Sequence, residues 1–338
     1  MRKIPVCLSS DDSYAPFVAT TIASICYNTD EFVEVYVLDG GISPFHKRLI
    51  SSLQSKFANF SLKFLAVDLE RRFGKFSLGA ERITLSTYSR FLIPDIIKDV
   101  GKIIYSDVDV IFLGDVAELY DQDLSTHSLG AISQAYFSNP QIKHLIDSIY
   151  SRIDLSREHR YLHAGVLLID CNKWRSENAV EQLMNIAAEY RSRLTMADQC
   201  VLNIYHSINN YKLLEHKFCL LTQDCIYLSN CDKEKYNTLL SNVIVRHFES
   251  GKKPWLTDAR HDGKPLENFN DFWFFAAMTP FYAGLQHSFY ANQIKNSPLM
   301  HPSNGEKTMK SRADVKNRAI FAALRAKVNE ASEPKRTK

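Results

Sequence analysis

Apolar positions in the first two-thirds of the chain alternate between two periods. Ile4–Ser9 is a short apolar run followed by Asp11 and Asp12, and it predicts a strand. Tyr14–Tyr27 changes to helical spacing, with Phe17, Thr21 and Ile25 on one stripe and Val18 and Ile22 beside it. Val33–Leu38 is rich in β-branched residues and ends at the turn signal Asp39-Gly40-Gly41. Pro44–Phe57 reads as a helix, with Ser43 as N-cap and Pro44 at the first helical position. Phe60–Val67 predicts a strand, and Thr87–Leu92 a short helix stopped by Pro94. Further strands are predicted at Lys102–Tyr105, Val110–Leu113, Leu129–Ser133, Gly165–Asp170 and Val243–Phe248, and helices at Val180–Arg191 and Asp198–Ile204. Strands separated by helical segments predict an α/β fold, a mainly parallel sheet with helices on both faces. Such sheets take ligands at the carboxyl ends of strands where the strand order switches. Polar residues that follow strands are therefore the first candidates for chemistry.

After Trp255 the pattern changes. Asn268–Leu285 is strongly aromatic and broken by Pro280, and a polar, basic segment runs from Gln286 to the end. The expected boundary divides an N-terminal domain, 1–258, from a C-terminal extension, 259–338. Ala313–Val328 reads as a basic amphipathic helix with a weak apolar face, either solvated or lying on a membrane surface.

Composition adds exclusions. The 338 residues are 45% hydrophobic and 23% charged, which is ordinary for a globular chain and excludes a disordered or fibrous one. The formal charge of +3 excludes nucleic-acid binding driven by bulk charge. The distribution is uneven. Residues 307–338 carry 10 basic and 3 acidic residues, a local +7, whereas residues 1–306 carry 31 and 35, a net −4. Seven cysteines without a CxxC pair argue against a disulfide framework. Cys219, Cys225 and Cys231 are too widely spaced for a zinc knuckle and are expected to be reduced and mostly buried. The start of the chain does not read as a signal peptide, and no apolar run reaches the ~18–20 residues of a membrane span. A cytoplasmic location is expected.

Asp107 and Asp109 lie two residues apart inside a β-branched apolar run, Lys102 to Phe112. In extended backbone both carboxylates point the same way, repel each other and lose hydration, so a cation should offset them, and a divalent metal is the economical one. The alternative is a pair of acids capping a strand end in solvent. Asp11 and Asp12 follow the first strand, where they suit hydrogen bonding to a nucleobase or ribose, or N-capping of the following helix. His247 ends the last predicted strand, ahead of a loop with Gly251, Lys252 and Lys253. An imidazole beside two carboxylates selects Mn²⁺-like chemistry over Ca²⁺, and the lysines suit a pyrophosphate. Read alone, the segment is equally a surface turn. Asp198-Gln199 opens a helix, Arg90 follows Thr87 by one turn, and Gly165 permits close backbone approach after His163 and Ala164. GxGxxG and Walker sequences are absent, so dinucleotide and P-loop readings fail.

Taken in order, the segments IPVCLSSDDSY, VEVYVLDGGIS, STYSRFLIP, KIIYSDVDVIFLGDVAELY, YLHAGVLLIDCNKWR, ADQCVLN and HFESGKKPW resemble glycosyltransferase family 8. That family includes bacterial lipopolysaccharide galactosyl- and glucosyltransferases and glycogenin, and the resemblance covers about residues 3–256. It implies a nucleotide-sugar-binding fold of the GT-A type and a retaining, Mn²⁺-dependent (or Mg²⁺-dependent) transferase. The donor would be a UDP-hexose, glucose or galactose. Asp107, Asp109 and His247 would hold the metal. Ser10, Asp11 and Asp12 would hold the uracil and ribose, with Tyr14 and Val108 beside them. Lys253 and Gly251 would meet the phosphates. Arg90, Gln134, His163, Ala164, Gly165 and Asp198 would line the sugar, with Gln199 near the anomeric carbon. Gln199 would act as a weak nucleophile or stabilise positive charge in a front-face substitution. Three positions depart from the family pattern: His163 for a common Asn, Gln134 for a common Asp and Cys200 for a common Asp; the loop glycine is also displaced by one. The implied acceptor is a lipopolysaccharide or lipooligosaccharide core, a lipid-linked oligosaccharide met at the anionic inner face of the cytoplasmic membrane by a peripheral protein. The rival acceptor is a protein or soluble glycan, as for glycogenin. Non-catalytic nucleotide-sugar binding is a further rival. A nucleotidyltransferase is disfavoured because SSDDSY replaces the glycine-rich basic loop it needs.

Overall fold

In β1 (Lys3–Ser10) every residue after the first is buried, because the strand has neighbours on both edges and layers on both faces. The computed structural model describes residues 2–74, 76, 85–134, 137, 139–208, 210–249, 251–256, 258–261 and 263–295. β1 pairs in parallel with β2 (Phe32–Asp39), and β2 with β3 (Phe60–Ala66). On its other edge β1 pairs in parallel with β4 (Lys102–Ser106).

The chain then enters β5 (Val110–Phe112), which belongs to a second sheet. β6 (Leu129–Ala131), β7 (Val166–Asp170) and β8 (Lys212–Leu213) complete the first, in the order β3-β2-β1-β4-β7-β6-β8. β7 runs antiparallel to both β4 and β6, so the sheet is mixed and mainly parallel, as expected. β9 (Leu220–Leu221) and β10 (Val245–His247) join β5 in the second sheet, with β10 antiparallel to β5 and parallel to β9. The strand order reverses between β1 and β4, and the carboxyl ends of those strands carry Ser9-Ser10-Asp11 and Ser106-Asp107. That is a topological switch point.

Alternate residues of β1 enter opposite cores. Ile4, Val6 and Leu8 pack with Val18, Ile22 and Ile25 of the helix Ala15–Tyr27, and Cys7 packs with Phe91, Ile103 and Tyr105 on the other face. The aromatic C-terminal block joins the first core. Phe272 and Phe275 of the helix Phe269–Ala276 are buried there, and Phe272 lies 6.4 Å from Phe17, ring to ring. Trp255 stacks between them, 4.1 Å from Phe17 and 4.8 Å from Phe272. Trp273 is partly buried, whereas Phe274 is 48% exposed.

Three local expectations are revised. The second helix is α-helical only over Pro44–Ser51 and continues as a 3₁₀ turn at Ser52–Ser55; its cap is as expected, Ser43 accepting from the His46 N–H. Pro94 does not stop a helix. Leu85–Leu92 is 3₁₀, and Pro94 sits in the first turn of the short helix Ile93–Ile96, where a missing N–H costs nothing. Asp107 and Asp109 do not share one strand: the chain crosses between the two sheets through them. The expected tail helix at Ala313–Val328 lies outside the described residues. Among those described, no helix is long and apolar enough to cross a membrane.

Candidate functional site

The crossover brings Asp107 and Asp109 to His247 by pairing across the second sheet, where His247 is opposite Val110. His247 Nε2 lies 3.0 Å from Asp109 Oδ1 and 3.9 Å from Asp107 Oδ2. One donor atom from each of the three falls within 4.8 Å of the others. The crossover is braced from the helix Ala15–Tyr27: Thr21 Oγ1 donates to Val108 O and Val110 O, and Ser24 Oγ accepts the Phe112 N–H. Val108 itself is buried. The Asp107 N–H donates to Gly165 O at 2.8 Å, which ties the loop to β7.

The expected cationic offset is present in the chain itself. Burial disfavours the Asp109 carboxylate, but the Lys253 ammonium, 2.5 Å from Oδ2, and His247 hold it well below the usual carboxylate range. Burial likewise opposes the His247 imidazolium, yet Asp109 raises His247 well above the ordinary imidazole range. Lys253 also donates to Phe248 O and lies over the Trp255 ring. Gly251 opens that loop, half-buried.

Arg90, 3% exposed, is the hub of the adjoining wall. Nη2 donates to Asp107 Oδ1 at 2.9 Å, Nη1 donates to Ala164 O, and Nε pairs with Asp198 Oδ2 at 3.0 Å. Its guanidinium lies 4.4 Å above the Tyr105 ring, whose hydroxyl donates to Asp107 Oδ1. Asp198 also accepts from Thr87 Oγ1, but burial outweighs these partners and pushes its carboxyl up to about 6. Asp198 and Gln199 lie at the start of the helix Ala197–Tyr205, behind Ala197 at φ +42. A left-handed alanine costs on the order of 1 kcal/mol, strain of the kind that clusters at functional sites. Gln199 is fixed at both ends of its amide: Oε1 accepts the Ala164 N–H at 3.1 Å, and Nε2 donates to Gln134 Oε1 at 2.5 Å. Asn203 holds the same segment through Leu162 N, Leu162 O and Gln199 O.

A cavity of about 230 Å³ opens between these groups and the end of β1. Its lining includes Ser9, Ser10, Asp11, Tyr14, Thr87, Arg90, Asp107, Val108 and Asp109. Asp11 accepts from the N–H and the hydroxyl of Ser13, so it caps the 3₁₀ turn Asp12–Tyr14 while lining the cavity. Asp12 is outside that lining. Its Oδ1 accepts from the Ser43 N–H at 2.7 Å and meets His46 Nδ1 at 2.7 Å. Two groups escaped sequence reasoning. Thr21 looks like one more position on an apolar helical stripe, and Cys219 gives no local signal that it lies 3.7 Å from His247 Nδ1.

Comparison with known proteins adds to this geometry. General stress protein A of Bacillus subtilis is 28% identical over 262 residues, 75% of this chain and 87% of its own length. Glycosyltransferase GlyF of Streptococcus pneumoniae is 26% identical over 257 residues, 76% of this chain and 58% of its own. Among solved structures, the galactosyltransferase LgtC in complex with donor and acceptor sugar analogues superposes with a TM-score of 0.69 at 22% identity, over 83% of this chain and all of LgtC. The bifunctional glycosyltransferase WbbM also superposes at 0.69, with 20% identity, over 86% of this chain and 52% of its own. These two bear on the fold, which is of the GT-A type. The family model for glycosyl transferase family 8 matches residues 5–259, three quarters of the chain, and the protein belongs to that family.

Proposed function

We propose that the protein transfers glucose or galactose from a UDP-sugar to a lipopolysaccharide or lipooligosaccharide core, with retention of anomeric configuration, and that Asp107, Asp109 and His247 hold Mn²⁺ or Mg²⁺. The observation that carries this reading is the convergence of the three side chains beside a polar cavity at the switch point of the sheet. Two carboxylates and an imidazole fit a manganese-like ion better than calcium. Asp107, Asp109 and His247 would hold the ion, which would supply charge neutralisation for the diphosphate and for the UDP leaving group.

The chain's own residues do the rest. Lys253 exchanges Asp109 for a phosphate oxygen, because its ammonium already lies at the ligand edge. Ser10, Asp11 and Tyr14 meet the nucleoside from the end of β1. Arg90 holds Asp107 and Asp198 in register, and Asp198 accepts from a hydroxyl of the sugar. Gln199 presents a fixed amide beside the anomeric carbon, where positive charge develops; a dipole set beforehand needs no reorganisation during the reaction. The departing phosphate takes the acceptor's proton. Gln134 and His163, both buried against this wall, shape the sugar pocket.

Residues 1–258 form the catalytic domain in this reading, and residues 259–338 are an extension that brings it to an anionic membrane surface. The net +7 of residues 307–338 and the exposed pair Phe274 and Tyr27, rings 5.3 Å apart, support that role. The test is hydrolysis of UDP-glucose and UDP-galactose with Mn²⁺, against an EDTA control. Metal-dependent UDP release from one donor is expected. UDP binding without release from either donor would favour a non-catalytic binding protein.

A further inference from the structure

We infer that His163, Cys219 and His247 form a second metal site, for a soft divalent cation of the zinc type, and that this site excludes the ion held by Asp107 and Asp109. All three side chains are buried, with relative exposures of 5%, 1% and 2%. One donor atom from each lies within 4.8 Å of the others. Cys219 Sγ is 3.7 Å from His247 Nδ1 and 3.9 Å from His163 Nδ1. A tetrahedral zinc ion with its usual bond lengths sets thiolate and imidazole donors about 3.5 Å apart, so both sulfur–nitrogen distances are within a few tenths of an ångström of that value. The two imidazole rings meet edge to face with centroids 5.1 Å apart, which leaves their nitrogens free of a stacked ring. One thiolate and two imidazoles select zinc-like ions over magnesium or manganese.

The surroundings fit a built site. Asp109 Oδ1 sits 3.0 Å from His247 Nε2, the far side of the ring. With a metal on Nδ1, the Nε2–H donates to that carboxylate, the arrangement that commonly orients a zinc-bound histidine. One existing contact is replaced: the Gly165 N–H now donates to His163 Nδ1 at 3.1 Å. On binding, the Cys219 thiol proton and the His247 Nδ1 proton leave to solvent, so that the sulfur and that nitrogen become ligands while Nε2 keeps its proton.

Exclusion follows from the imidazole itself. Neutral His247 has one free lone pair, on Nδ1 or on Nε2. Directed at Cys219 and His163 it serves the soft site; directed at Asp107 and Asp109 it serves the other. The soft site rests on geometry alone, and its antagonism rests on the proposed role of Asp107, Asp109 and His247.

The test uses the full chain stripped of metal, with Co²⁺ as the spectroscopic probe. One equivalent should give a thiolate-to-cobalt charge-transfer band with the strong visible bands of tetrahedral coordination, and Zn²⁺ should abolish both. Cys219→Ser should lose the charge-transfer band, and His163→Gln should weaken cobalt binding at least tenfold, each checked for folding by circular dichroism. Bound Mn²⁺, followed by electron paramagnetic resonance, should be released by one equivalent of Zn²⁺ in the unaltered protein, whereas Cys219→Ser should need several-fold more Zn²⁺ for the same release, because only direct competition at the carboxylate set remains. Cobalt binding without a charge-transfer band overturns the site, as does a band that survives Cys219→Ser. A band accompanied by full retention of Mn²⁺ overturns the exclusion. Unchanged Mn²⁺ binding in Asp107→Asn, with the cobalt band intact, would instead refute the carboxylate set and leave the soft site standing.

Discussion

A Cβ placed on Gly165 would lie 2.3 Å from Cε1 of His247 and 2.7 Å from Cε1 of His163. Neither ring can yield easily, because both are buried and His247 is held by Asp109 and Cys219. Glycine at 165 is thus the space in which the two imidazoles sit. Gly165→Ala is expected to push His247 off the aspartate pair, lowering Mn²⁺ affinity at least tenfold while costing about 1–3 kcal/mol of stability from overpacking. Mn²⁺ titration alongside denaturant unfolding checks this; unchanged affinity would show that the His247 ring position is not what Gly165 protects.

Much of the architecture could be read locally. The helix Ala15–Tyr27, the Ser43 cap and the four parallel strands each carry their own periodicity or cap residue. In the second sheet the strands at Val110–Phe112 and Val245–His247 were legible as apolar runs, but the two-residue β9 was not, and neither was the pairing of Val110 with His247 across more than a hundred positions. The same long pairing explains the site. Asp107 and Asp109 were legible as a cation-seeking pair and His247 as the end of a strand, but only the family resemblance joined them, because the pairing of β5 with β10 has no local signal. The partners of Asp12 were not legible either: its Oδ1 accepts from the Ser43 N–H and meets His46 Nδ1, residues that follow the next strand.

Asp198 gives a pH signature. Burial raises its carboxyl from the ordinary 3.8 to about 6, with Arg90 and Thr87 pulling it back. The folded state therefore binds this proton more tightly than the unfolded chain. The stability it contributes is complete below the unfolded value and is lost as pH rises through about 6, at most ~3 kcal/mol. Subtracting the denaturant stability of Asp198→Asn from that of the unaltered protein, between about pH 4 and 7, should leave a difference that falls with pH. A flat difference would mean that Asp198 titrates normally.

The Gln199 amide is held by Ala164 N and Gln134 Oε1 beside the cavity wall, and its contribution is expected in the chemical step. Gln199→Ala should lower kcat about 100-fold or more with little change in the donor KM. Steady-state kinetics with a UDP-sugar decide it, and a loss confined to KM would assign Gln199 to ground-state binding.

Removing residues 307–338 takes away a net charge of +7. Basic residues near an anionic bilayer contribute ~1 kcal/mol each, so the truncated chain should sediment less with vesicles containing phosphatidylglycerol and show a weaker salt dependence. Turnover on a soluble acceptor should persist. Equal sedimentation of the two forms would remove the membrane role from this segment.

The central claim is that Asp107, Asp109 and His247 hold the divalent ion through which UDP binds. Calorimetric titration of UDP into the protein, with Mn²⁺ and with EDTA, tests it most directly when repeated on Asp109→Asn. Metal-dependent binding in the unaltered chain, falling about 100-fold or more in the folded variant, is the predicted result. Equal UDP affinity with Mn²⁺ and EDTA, or an Asp109→Asn variant that binds UDP and Mn²⁺ as the unaltered chain does, would contradict the account.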